Sequence, residues 1–434
     1  MHKLILRIKS SPIVHRLASG VFWQFSGTAI AKAIVLISGI ICAHILTKEE
    51  YGQLGMVRST INMFVAVGVA GLGITATKFI AQYKVESPDK IQGIVSLTNQ
   101  FAIFTGLLVT FLVLIFSSTI ADSVLHAPIL SPSIKAGALL LFVTVMNGAQ
   151  NGTLAGFENF KSIAINTLLG SIAEGAFMLL GAYYGGVFYA ILGFGIGYIV
   201  LYLSNQISIR RQLKSIGLQY RYSRISTEDW KILINFSLPA ALSSMVVTPT
   251  LFVVRTILVR NSGFEELAVY EAAEQWRIII LFIPTAICHV ILPILSSLST
   301  NDDRRYWRVL KLNLGLNAGI SLAITLTVSL LSSFIMGLYG SIYSTDTITL
   351  VILSSSTIFS SMASVVGAAI QSRAKVWHGL GFNILWSSIV VFLTWFFIKS
   401  GYGAKGVAIA MMASYAVHTV LQLIYLHTTV RLSR

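Results

Sequence analysis

Seven ionisable side chains stand inside long apolar runs of this chain: Lys32, Arg58, Glu174, Arg255, Glu271, Glu274 and Arg277. Each such charge costs about 2.5–3.5 kcal/mol at mid-membrane on insertion scales, so it persists where it pairs or meets a ligand. Arginine and lysine hold anionic oxygens well, arginine bidentately. The carboxylates suit a different task, the uptake and release of a proton or a cation. Lys32, Arg58, Arg255 and Arg277, with the amides Asn147 and Gln150, are therefore the substrate-binding candidates. Glu174, Glu271 and Glu274 are the candidates for ion coupling. Each also has a purely structural reading. Glu174 could pair with Lys32, Arg58 and Arg255 could reach interfacial phosphates, and Glu274–Arg277 has the i,i+3 spacing of a local helix pair.

Signals for other chemistry are missing. The chain has no Walker A loop, no HExxH and no Ser/His/Asp grouping in a folded extramembrane region, so an enzyme is not expected. Its two cysteines, Cys42 and Cys288, both lie in apolar runs and support neither a disulfide scaffold nor a metal site. No cofactor is called for beyond a proton or sodium ion. Gly193-Phe194-Gly195-Ile196-Gly197 looks like a nucleotide-binding fingerprint but sits in an apolar span without a preceding strand, where close helix packing is the better reading. Gly148, Gly152 and Gly156 form a tandem GxxxG with the same meaning. His44, His289 and His418 read as packed or interfacial residues.

The elements that must position these residues are membrane helices. Of 434 residues, 55% are hydrophobic and only 11% charged, against about 25% charged in soluble domains. With mean hydropathy +0.79, a soluble protein is excluded. Apolar runs of about 20 residues recur along the chain. Their limits fall at roughly 19–46, 54–80, 93–117, 134–156, 163–183, 187–208, 232–259, 269–299, 312–337, 347–370, 377–398 and 406–427. The break near Tyr184–Gly186 is the weakest, and the first span reads as a retained helix rather than a cleaved leader. The expectation is an all-α integral membrane protein of about twelve transmembrane helices.

The net charge of +15 could suggest a nucleic-acid partner, but its placement does not. With the N-terminus inside, the inner segments hold 22 of the 31 lysines and arginines, and their net charge equals that of the whole chain. This is the positive-inside signature of a protein with both termini cytoplasmic. The most polar stretch divides the chain into a six-helix half, 1–209, a basic cytoplasmic linker, 210–231, and a second half, 232–434. The halves echo each other faintly, as in Phe25-Ser26 and Phe236-Ser237, which suggests parallel repeats. Pro239, Pro249, Pro284 and Pro293 concentrate in spans seven and eight, where they permit bending.

Phe22-Trp23 through Leu46, then Glu49-Glu50-Tyr51-Gly52-Gln53-Leu54-Gly55 and Gly68 to Gly73, resembles the opening of bacterial polysaccharide repeat-unit flippases of the O-antigen type. Leu154-Ala155-Gly156-Phe157-Glu158-Asn159-Phe160 with Asn166-Thr167-Leu168-Leu169-Gly170 is similar to that family's connection between the fourth and fifth helices. Tyr270-Glu271-Ala272-Ala273 with Pro293 is similar to its eighth helix. The likeness marks the oligosaccharidyl-lipid/polysaccharide branch of the MATE-like exporter superfamily and spans nearly the whole chain.

The resemblance implies two six-helix lobes forming a V around a central cavity that opens alternately to each side. It implies a multi-pass protein of the bacterial inner membrane that flips undecaprenyl-pyrophosphate-linked oligosaccharide outward for O-antigen or capsule assembly. Such a protein would use an ion gradient and work beside the polymerase and chain-length regulator of its pathway. A multidrug/cation antiporter of the same superfamily would place acids in the lobes, whereas the first span here has Lys32 and no acid. A membrane glycan polymerase or ligase would carry a long outer loop, whereas the outer loops here are short.

Overall fold

The computed structural model describes residues 12–69, 71–218, 231–232, 237, 245–288, 295, 303–373 and 375–432. Among them there is no strand. The first helices are α1 (Pro12–Ile45), α2 (Lys48–Val69), α3 (Leu72–Glu86), α4 (Ile91–Thr119), α5 (Ser131–Gly156) and α6 (Phe160–Ser215). They are followed by α7 (Val247–Ser262), α8 (Phe264–Ile280), α9 (Asp303–Leu330), the short α10 (Ser332–Gly337), α11 (Thr347–Ser372), α12 (Val376–Lys399) and α13 (Gly403–Leu432). Among the described residues, eight helices are long and apolar enough to cross a membrane, and α2 with α3 forms a ninth candidate span bent by 41°. That bend falls at Gly71, whose φ of 72° is a left-handed conformation open to glycine at little cost.

The 56 residues of α6 would extend about 84 Å as one helix, nearly three times the hydrocarbon thickness. It is instead a hairpin. Gly185 (φ −161°, ψ 26°) and Gly186 (φ 65°, ψ −149°) leave helical geometry and turn the chain back on itself. The weakest expected break is thus a full turn between two spans. Along the hairpin, a Cβ at Gly181 would strike the carbonyl of Tyr189, one at Gly193 that of Phe177, and one at Gly197 the Cβ of Glu174. The glycines of the 193–197 run serve this close packing. Counted with both arms of α6, the described helices agree with an architecture of about twelve.

The fold forms two compact units. One gathers the chain up to Ser38, Thr60–Asp122 and Ala127–Met245. The other gathers Gly39–Ser59, Ser123–His126 and the chain from Val246 onward. The α1–α2 turn is therefore counted with the second unit. Of the expected linker, Arg210, Arg211 and Lys214 continue α6, and 219–230 lie outside the described residues, as do Pro239, Pro293 and His289.

In the first unit α5 is central, with α4 and the second arm of α6 packed on it. Its tandem glycines meet α2 and α3. A Cβ at Gly152 would overlap the backbone of Gly73, and one at Gly156 would press on Ile80. Leu72, Ile80, Ile94, Val145, Met146 and Ile209 close the apolar core. In the second unit α11 takes the central place, with α9 and α13 packed on it. Tyr306, Leu310, Val365, Ala369 and Leu426 form that core. Spans three, four and six thus recur as spans nine, ten and twelve, the arrangement a duplication produces. Exposed Phe104, Ile115, Leu330 and Phe392 (60–86%) give both units the apolar surface that lipid requires.

Candidate functional site

In the second unit α8 carries Glu271 and Glu274 within one turn, and α7 answers with Arg255. Arg255 Nε donates to Glu271 Oε1 at 2.5 Å, and the guanidinium lies 5.1 Å from the Tyr270 ring centroid. One turn on, Arg277 donates through Nε and Nη2 to the two oxygens of Glu274, each at 2.6 Å. This fork-to-fork geometry is the strongest an ion pair adopts. Arg255, Glu274 and Arg277 are 8%, 4% and 6% exposed, so these charges stand out of solvent. Four of the predicted residues are thereby brought together as two buried pairs with no net charge.

The pairs differ in one useful respect. Glu274–Arg277 is sealed inside one helix, with side chains 5% and 7% exposed. Arg255–Glu271 bridges two helices, and its carboxylate is the most open of the four side chains at 17%. Gly55 of α2 makes room for Glu271, since a Cβ there would come within 2.6 Å of its Cγ.

Beside Glu271 lies a tyrosine cluster that the sequence reading missed. Gln275 Nε2 donates to Tyr51 Oη at 2.6 Å, and Tyr339 Oη donates to Gln275 Oε1 at 3.3 Å. The rings of Tyr51, Tyr339 and Tyr343 pack with centroids 6.0–6.4 Å apart. Lys48 reaches Asp346 at 3.2 Å, and His44 Nε2 donates to the Leu338 carbonyl at 2.7 Å. Tyr343, outside the spans, has its phenol pushed above the ordinary range by burial, with Glu265 and Asp346 adding to the effect. A usable signal was the i,i+4 spacing of Glu271 and Gln275, which puts the amide on the carboxylate's face.

The remaining predicted residues lie apart from this site. Asn147 and Gln150, 3% and 0% exposed, spend their amide N–H groups on the second arm of α6, donating to the Tyr198 carbonyl at 3.0 Å and to Gln206 Oε1 at 2.9 Å. A separate amide chain joins Asn166, whose Nδ2 donates to Asn205 Oδ1 at 2.9 Å, and Asn205, whose Nδ2 donates to Asn151 Oδ1 at 3.1 Å. Glu174 is half-buried where the arms of α6 cross. Lys32 is half-buried in α1. Arg58 is half-buried in the part of α2 counted with the second unit. Among the described residues no cluster of three His, Cys, Asp or Glu side chains could hold a metal.

Solved structures share this fold. A multidrug resistance MATE-family transporter of the MOP superfamily in an inward-facing conformation superposes with TM-score 0.78 at 16% identity, covering 92% of this chain and 94% of the other. A MOP-superfamily transporter from Pyrococcus furiosus, described as having reversed polarity in its binding pocket, gives 0.73 at 15% over 96% and 95%. The fold is that of MOP-superfamily membrane transporters. The EPS I polysaccharide export inner membrane protein EpsE of Ralstonia solanacearum is 22% identical over 423 residues, covering 91% of this chain and 90% of that protein. Its counterpart in Ralstonia nicotianae is 22% identical over 425 residues, 93% and 92%. Over residues 17–299 the chain matches the family described as Polysaccharide biosynthesis protein, and it belongs to that family.

Proposed function

We propose that this chain is a flippase for undecaprenyl-pyrophosphate-linked oligosaccharide repeat units. It carries them from the cytoplasmic to the outer face of the bacterial inner membrane by alternating access, for assembly of a surface polysaccharide such as O-antigen or capsule. Family membership supports the cargo class, and the name of the Ralstonia relatives supports export at an inner membrane. The observation that carries the reading is the Arg255–Glu271 pair, a buried guanidinium whose present partner is more open than the carboxylate of Glu274.

The chemistry follows from that pair. A pyrophosphate offers oxygens that match the guanidinium fork as well as a carboxylate does. When cargo arrives, Arg255 exchanges Glu271 for phosphate, and Tyr270 keeps the guanidinium plane in place. Glu271, released when phosphate takes Arg255, is the group proposed to couple transport to an ion, and its return to Arg255 expels the cargo. The sealed Glu274–Arg277 pair holds the frame. A cation antiporter is less well supported, because both acids of this site are occupied by arginines.

The test is made in cells that depend on this chain for surface glycan. Arg255→Ala and Lys32→Ala should abolish the glycan at normal protein level, and Glu271→Gln should reduce it. Normal glycan from Arg255→Ala would refute the role given to the pair.

A further inference from the structure

Helix α9 presents two opposite faces. Tyr306, Leu310, Asn313, Asn317 and Ser321 recur at three- and four-residue spacing and form one stripe, and none is more than 1% exposed. This stripe turns toward α11, where Tyr306 Oη donates to the Ala369 carbonyl at 3.1 Å. The opposite face begins with Arg304, Arg308 and Lys311, all exposed. The same spacing carries it on through the exposed Gly315 and Gly319. It ends at Leu322, Leu326 and Leu330, which are 45%, 54% and 86% exposed.

From Lys311 to Leu330 the helix rises about 28 Å, against a hydrocarbon core of about 30 Å. The three cations therefore stand at headgroup depth, with the glycines and leucines below them. Trp307 marks the same depth, since an indole favours the membrane–water interface, and its ring lies 5.9 Å from that of His427. A Cβ at Gly315 or Gly319 would meet nothing within 4 Å, whereas other helices close on Gly148, Gly152 and Gly156. Helix packing thus does not account for these two glycines, although glycine weakens a helix interior. Positive-inside placement accounts for basic connecting segments but not for cations gathered on one helical face. In the first unit the corresponding span, α4, has no lysine or arginine from Ile91 to Thr119.

We infer that this face of α9 binds an anionic phospholipid, its phosphate held by Arg304, Arg308 and Lys311 and an acyl chain lying along Gly315 and Gly319. Charge and shape select that occupant. A soluble anion would leave the apolar strip uncovered, and a neutral lipid would leave three cations unmatched. The guanidinium forks suit phosphate oxygens, and Lys311, the deepest of the three, can raise its ammonium to them along its flexible stem. A bound phosphate also offsets two local costs. Arg304 stands in the first turn of α9, where the helix dipole disfavours a cation, and it lies four residues from the like charge of Arg308. The orientation expected from charge placement puts this end at the cytoplasmic leaflet. The site does not depend on the cargo proposed above.

The experiment uses the full chain in phosphatidylcholine nanodiscs, into which phosphatidylglycerol with brominated acyl chains is titrated. Bromine quenches a nearby indole, and Trp307→Phe identifies the Trp307 signal by difference. Each cation near an anionic surface is worth about fivefold in affinity, so quenching should favour phosphatidylglycerol over brominated phosphatidylcholine by more than about tenfold. Arg304→Gln, Arg308→Gln and Lys311→Gln combined should bring that preference close to unity. Removing the same charge from α6, by Arg210→Gln, Arg211→Gln and Lys214→Gln, should leave it in place. Gly315→Leu with Gly319→Leu fills the strip with a good helix former and should weaken phosphatidylglycerol quenching severalfold. Equal quenching by the two lipids, or equal loss in both triple variants, overturns the inference and leaves a topology signal. Relief of quenching by unlabelled polyprenyl diphosphate, at a level where unlabelled phosphatidylglycerol has no effect, overturns the phospholipid and assigns the face to cargo.

Discussion

Arg277 and Glu274 illustrate how a residue-scale charge can serve the frame rather than the cargo. Their spacing of three along α8 could be read from sequence, and the bidentate pair it predicts is present. The pairing of Arg255 could not be read, because Glu271 lies sixteen positions away on the next helix and only packing sets their distance. The same limit hid the Tyr51–Gln275–Tyr339 contacts, which join residues up to 224 positions apart. Removing one member of a buried pair strands the other charge, at about 3–5 kcal/mol, whereas replacing both by apolar residues of like volume is close to neutral. Glu274→Ala should therefore lower the thermal midpoint in detergent sharply, and the double change Glu274→Leu, Arg277→Met should recover most of it. Equal damage from both would show that the pair does more than satisfy itself.

At the scale of elements, the sequence pointed to breaks and contacts through its glycines. The turn at Gly185–Gly186 was the least distinct boundary in hydropathy, since Tyr184 and Val187 are as apolar as the arms they join. Its dihedrals make it firm. At φ 65° and ψ −149°, Gly186 sits where residues with a Cβ are strained by about 1–3 kcal/mol. Gly186→Ala should cut the yield of monodisperse protein on size-exclusion chromatography, while Gly93→Ala, at a position with open space, should not. Gly152→Leu should be more severe, because its side chain would overlap the Gly73 backbone, and backbone cannot move aside as a side-chain tip can. Wild-type yield from Gly152→Leu would mean that α5 and α3 pack otherwise.

For the whole molecule, composition and charge placement carried the fold class a long way. Apolar runs pointed to about twelve spans, and in each unit one helix takes the central place with others packed on it. What hydropathy could not show is that the residues from Gly39 to Ser59 group with the second unit, since span counting follows chain order and not contact. The orientation proposed from the basic segments has its own check. In a Cys42→Ala, Cys288→Ala background, Lys405→Cys should react with an impermeant maleimide from outside intact cells, and Lys311→Cys should react only after permeabilisation. The reverse pattern would invert the proposed direction of transport.

The central claim is that this chain moves a lipid-linked saccharide across a bilayer and uses Arg255 to hold its diphosphate. Purified protein should be reconstituted in vesicles whose inner leaflet bears a polyprenyl-diphosphate oligosaccharide, and the saccharide reaching the outer leaflet should be measured by its accessibility to an added glycosidase. The account predicts transfer by the wild-type chain, dependence on an ion gradient, and loss of transfer in Arg255→Ala at equal protein content. Transfer at the protein-free rate, or full transfer by Arg255→Ala, would contradict it.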